Sequence, residues 1–124
     1  MPEPDVPTLD ERVLTELLET TGGDIDFVRE LVDTYLADTP VQLDAMTTAV
    51  EADDAEALVR PAHTLKSSSA TVGAMRLSSV ARELEMAGRT CSLEASVRGR
   101  LEAANVEWMA VEEAFGTWLK GASA

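Results

Sequence analysis

SLEASVRGRLEAANVEWMAVEEAFGTWLK, residues 92–120, is the stretch whose pattern decides the fold class. Val97, Leu101, Ala104, Trp108, Val111, Phe115 and Trp118 recur in alternating steps of four and three, without a break. At about 100° per residue these seven side chains share one side of a helix, the seam of a packed bundle. A long helix with a single apolar seam buries it against other helices, so the rest of the chain should hold partners of the same kind.

Upstream, the same periodicity recurs. Val28, Leu31, Val32, Tyr35, Leu36, Leu43, Met46 and Val50 follow spacings of three and four through Pro40, which predicts one long, kinked helix rather than two. Asp24 is placed to cap it. Before it, Thr8-Leu9-Asp10-Glu11 fits a capping box that opens a short helix with Leu14, Leu17 and Leu18 inward, stopped by Gly22-Gly23. Asp53-Asp54 begins a further helix that ends near Gly73, with Leu58, Leu65 and Val72 on one line and Ala62 and Ser69 beside it. A shorter helix follows, with Leu77, Val80, Ala81 and Leu84 inward and Gly88 closing it. No strand-like alternation, internal repeat or low-complexity segment interrupts the series. The expectation is an all-α four-helix antiparallel bundle with a short extra N-terminal helix. Residues 1–7, with three prolines, read as a disordered lead-in, 8–120 as the bundle and 121–124 as a tail.

Composition narrows the function. The chain has 124 residues and a net charge of −13, which argues against nucleic acid as a partner. Residues 1–57 carry 16 acids and 2 bases, residues 58–100 carry 3 and 7, and residues 101–124 carry 4 and 1. The middle stretch alone is cationic, and suits an anionic substrate or an acidic partner surface. No apolar run approaches the ~18 residues of a membrane span. The start lacks a signal peptide's cationic region. With one cysteine, Cys91, read as an unreactive half-buried thiol, the chain is expected in the cytoplasm. Met1 and the short tails favour a free-standing chain.

Within that cationic stretch lies the sole histidine, His63. Its helix places it roughly 140–220° from the Leu58–Leu65–Val72 line, facing water. Val59, Lys66 and Ser67 lie one turn up or down from it, and Ala70 two turns along on the same side. There is no phosphate-binding glycine loop, no nucleophile elbow, no H-E-x-x-H motif and no second histidine or cysteine pair, so no metal or cofactor is implied and a self-sufficient enzyme is disfavoured. Neutral imidazole, with an ordinary pKa of about 6.5, is a nucleophile that can take a phosphoryl group without a base. Lys66 can offset charge on phosphoryl oxygens. The plain alternative is a surface histidine with a chance lysine three residues on. Trp108, Phe115 and Trp118 read as core, and Phe27 either joins the outer surface or caps the bundle end.

His63-Thr64-Leu65-Lys66-Ser67-Ser68-Ser69, followed by Gly73-Ala74, resembles the H-x-L-K-G-S-S … G-A signature of histidine phosphotransfer (HPt) domains. Leu9-Asp10, Gly22-Gly23-Asp24, Phe27 with Glu30-Leu31, Asp53-Asp54 and Leu84-Glu85 extend the likeness over residues 8–120. The resemblance implies a histidine phosphocarrier in a multistep phosphorelay. His63 would be phosphorylated on Nε2 and would exchange the group with an aspartate of a response-regulator receiver domain, fed by a hybrid histidine kinase. Lys66 would steady the phosphoryl group, and the partner would bring the Mg²⁺ and acidic residues. Val59, Arg60, Ser67 and Ala70 are the expected docking residues, and a monomer is expected. Two positions depart from the family pattern: Ser67 stands where glycine is usual, and Pro61 should either kink the helix between Ala57 and Pro61 or make it effectively restart there. The Ser67 departure favours the alternative of a non-phosphorylated helical adaptor that binds a signalling regulator. A histidine-kinase dimerisation bundle is disfavoured, because the H-E-x-R-x-P type run is missing.

Overall fold

The computed structural model describes the backbone of residues 6–123 and the side chains as far as residue 121. Five helices fill it: α1 (Glu11–Thr20), α2 (Ile25–Glu51), α3 (Ala55–Thr71), α4 (Met75–Arg89) and α5 (Ala95–Ser123). There is no strand among the described residues. Each of the four longer helices packs on the next, and α5 closes back on α2, with α1 laid against α2. The predicted seam is the core: Val97, Leu101, Ala104, Trp108, Val111 and Phe115 are buried and meet Leu43, Met46, Leu58, Leu65, Leu77 and Leu84. Trp118 packs at its partly buried edge. Tyr35 stands edge-on to both Trp108 and Phe115, at centroid distances of 5.7 and 5.9 Å.

The first four helices close in one way. The amide two residues past the cap reaches back to the third-last helical carbonyl: Gly23 to Leu18, Asp54 to Ala49, Ala74 to Ser69 and Ser92 to Ala87. This is the Schellman arrangement, which requires a left-handed residue just before that amide. Gly22, Asp53, Gly73 and Cys91 fill that position, with φ of +71°, +55°, +86° and +54°. Gly73 cannot be replaced cheaply, because a Cβ there would stand 2.7 Å from the Asp10 carbonyl oxygen.

Several expected boundaries move. Asp10, not Thr8, caps α1, accepting from the Arg12 amide, because the helix starts at Glu11 rather than at Leu9, where a Thr8 cap would put it. Asp24 and Asp54 cap α2 and α3 through the Phe27 and Ala57 amides. Gly88 does not end α4; it lies buried inside it, and the left-handed closing residue is Cys91, which is exposed rather than half-buried. The last helix starts at Ala95 instead of Ser92 and runs to Ser123, into the stretch expected as a tail. Pro61 neither ends nor restarts α3: it is buried within an unbroken helix. Of the expected lead-in, residues 1–5 lie outside the described residues, and the Val6 carbonyl accepts from Arg76 Nε at 2.6 Å.

Candidate functional site

The close approach of α3 and α4 makes the site. A Cβ on Gly88 would lie 2.9 Å from both the Ala55 carbonyl oxygen and Val59 Cγ2, so only glycine lets the two backbones come this near. Further along the pair, Ser78 Oγ donates to the Lys66 carbonyl at 2.9 Å. On the inner side of α3, Ser69 Oγ shares a 2.8 Å hydrogen bond with Tyr35 of α2. Burial pushes the Tyr35 phenol up to about 12, so it stays neutral. His63 and Lys66 are thereby held on a helix fixed from both flanks.

Between α3 and α4 stands Glu85, which is buried, with a side chain only 6% exposed. Its Oε1 accepts from Lys66 Nζ at 2.7 Å. Its Oε2 lies 3.0 Å from His63 Nδ1 and accepts from Arg89 Nη2 at 2.7 Å and Arg89 Nε at 2.9 Å. Burial by itself would raise this carboxyl, but the hydrogen bonds from Lys66, Arg89 and His63 outweigh it and bring the group down to about 2. At neutral pH Glu85 is a carboxylate, which can only accept. In the neutral ring His63 Nδ1 therefore carries the proton and Nε2 the lone pair, on a ring that is 53% exposed. A carboxylate fixing the tautomer of a nucleophilic or basic imidazole is a recurring chemical device.

The structure divides the expected residues into two flanks. Lys66 leans towards α4 and is paired with Glu85 rather than free in water. Val59, expected as an exposed docking contact, is partly covered because it packs at Gly88. Arg60, Ser67 and Ala70 are exposed around His63. Phe27 is 47% exposed at the start of α2. Glu85 and Arg89 are the site residues that sequence reasoning did not assign. One signal was available: Glu85 shares the inward side of its helix with Ala81, Leu84 and Gly88, where a lone carboxylate needs a partner. No group of three or more His, Cys, Asp or Glu able to hold a metal ion occurs among the described residues. Nor is any helix there long and apolar enough to cross a membrane.

The family model of the Hpt domain matches residues 30–114, which includes His63, Lys66, Glu85 and Arg89. The chain belongs to the Hpt domain family. Histidine-containing phosphotransfer protein B (HptB) from Pseudomonas aeruginosa PAO1 has a similar structure, with a TM-score of 0.84 and 31% sequence identity. The likeness covers 94% of this Hpt domain and 97% of HptB, so the short N-terminal helix lies within the shared fold. No curated protein matches the chain. Membership places this Hpt domain among the histidine phosphotransfer modules of phosphorelays, which carry the group rather than turn over a substrate.

Proposed function

We propose that this Hpt domain is a phosphocarrier whose acceptor atom is His63 Nε2, exchanging its phosphoryl group with an aspartate of a response-regulator receiver domain and loaded through a hybrid histidine kinase. The observation that carries the reading is the 3.0 Å contact between His63 Nδ1 and the Glu85 carboxylate, which in the neutral imidazole puts the lone pair on Nε2 of a half-open ring. In the forward step the Nε2 lone pair forms the N–P bond while the P–O bond to the receiver's aspartate breaks, and its electron pair stays on that carboxylate. The ring keeps its Nδ1 proton and gains positive charge, which the adjacent Glu85 carboxylate offsets. Lys66, one turn along, supplies a cation for the phosphoryl oxygens. Exposed Arg60 lies within the cationic middle stretch that would meet a receiver's acidic pocket. The metal and the acidic residues are the receiver's.

The test is direct. Incubated with a phosphorylated receiver, the protein should gain label that is lost in acid and survives base, and His63→Gln should abolish it. Label persisting in that variant would remove the carrier reading. Binding of the receiver without any label in the natural protein would leave the adaptor.

A further inference from the structure

Phosphorylated His63 poses a problem that the free ring does not. If Nδ1 loses its proton, breaking the N–P bond must expel an imidazolate, a poor leaving group. If Nδ1 keeps it, the departing group is neutral imidazole. The arrangement around Glu85 bears on which of these occurs, because its two oxygens are used differently. Oε1 serves Lys66 alone, at 2.7 Å. Oε2 serves His63 Nδ1 and both Arg89 donors. Before phosphorylation two cations, one on each oxygen, share this carboxylate. A phosphoryl group on Nε2 brings two negative charges to the neighbourhood of Lys66, whose side chain is 31% exposed and can turn. Lys66 then trades Oε1 for phosphoryl oxygens. Arg89, with both donors on Oε2, keeps the carboxylate in place against Nδ1.

We infer that Glu85 sets the charge state of the phosphorylated ring: once Lys66 moves to the phosphoryl oxygens, the carboxylate held by Arg89 retains the Nδ1 proton, so that neutral imidazole is what leaves. The inference rests on His63 being the acceptor. In the outgoing step the N–P bond breaks and its pair returns to Nε2. The phosphoryl group bonds to an aspartate carboxylate oxygen of a receiver, or to water, whose displaced proton stays with the phosphate product. The Nδ1 proton never moves. Glu85 touches neither the phosphoryl group nor the aspartate or water that receives it; it is a positioning residue that acts through the His63 ring. The groups facing it are His63 and Lys66 from α3 and Arg89 from α4.

The measurement is ¹⁵N NMR of histidine-labelled protein phosphorylated with phosphoramidate, titrated with pH, alongside free phosphohistidine. In the wild type Nδ1 should stay protonated to a pH roughly one unit or more higher than in free phosphohistidine, one unit being a tenfold change in equilibrium. This arm needs no variant. Glu85→Gln, checked for folding by circular dichroism, keeps an acceptor atom but removes the charge. In it Nδ1 should lose its proton at lower pH, and the phosphorylated form should outlive the wild type several-fold at neutral pH and pass its group on more slowly. A wild-type ring titrating like free phosphohistidine, or equal lifetimes in the two proteins, overturns the inference while leaving His63 as the carrier. Absence of label on His63 overturns both.

Discussion

Ser67 carries the contrast between carrier and adaptor. It is exposed, one turn beyond His63 and about 40° around the helix, within the footprint a docking partner must cover. Two effects compete there: the hydroxymethyl group occupies approach space, and its hydroxyl can donate to a phosphoryl oxygen. Obstruction predicts that Ser67→Gly speeds phosphotransfer, even though glycine inside a helix costs roughly 0.5–1 kcal/mol of stability. Donation predicts that Ser67→Gly and Ser67→Ala both slow it, to similar degrees. We expect the first outcome. Transfer rates of the three proteins against one receiver separate them, and slowing in both variants would reverse the assignment. The next residue back on that face, Lys66, shows how far a single helix can be read. Its outward position beside His63 was legible from spacing alone. Its pairing with Glu85 was not, because that depends on how α4 is rotated against α3.

At the scale of elements, the spacing of α3 and α4 is the quantity that matters, and Gly88 fixes it. Gly88→Ala would press a methyl group to within 2.9 Å of a backbone oxygen on the facing helix, which cannot swing aside. The helices must separate, at a cost of about 1–3 kcal/mol. Glu85, one turn before Gly88, would move with its helix and stretch the contact to His63 Nδ1. The expected result is a lower urea midpoint together with slower phosphorylation of His63. Loss of stability with unchanged phosphorylation would show that the tautomer contact tolerates the shift.

Gly88 also illustrates what a sequence hides. A glycine near the end of an apolar pattern can terminate a helix or admit a neighbour, and the letter is the same. Here the terminating role fell to Cys91, a residue with no special liking for positive φ, so the stop could not be seen where it lies. Asp10 was similarly masked by Thr8, since both are good caps and only the start of α1 chooses between them. By contrast, the α5 seam, the Asp24 cap and the outward placement of His63 follow from local periodicity and hydrogen-bonding chemistry. They were legible without any tertiary information.

For the molecule as a whole, one buried carboxylate links the site to acid stability. Glu85 has its pKa near 2, below the ordinary 4.5, so the folded protein holds that proton less tightly than the unfolded chain does. Its contribution is present above the ordinary carboxylate range and drains away as pH falls from about 4.5 towards 2. Urea midpoints of wild type and Glu85→Gln should therefore differ at pH 7, draw together below about pH 4.5 and converge only near pH 2. A gap of constant width would mean that the hydrogen bonds to Glu85 hold the fold together without regard to its charge.

The half-open ring of His63 has a last consequence, in rate laws. The groove of about 830 Å³ between α4 and α5 is lined by residues such as Arg76, Met86 and Arg100, and His63 is not among them. On the proposed reading the nucleophile thus stands on an open rim, and the walls of its reaction chamber would exist only while a second protein is in place. Under dilute conditions traffic through such a carrier is second order. Halving both partners quarters the flux, whereas an enzyme saturated with small substrate would lose only half. Throughput would then be governed by how much of each protein the cell keeps, and by whatever holds the two side by side.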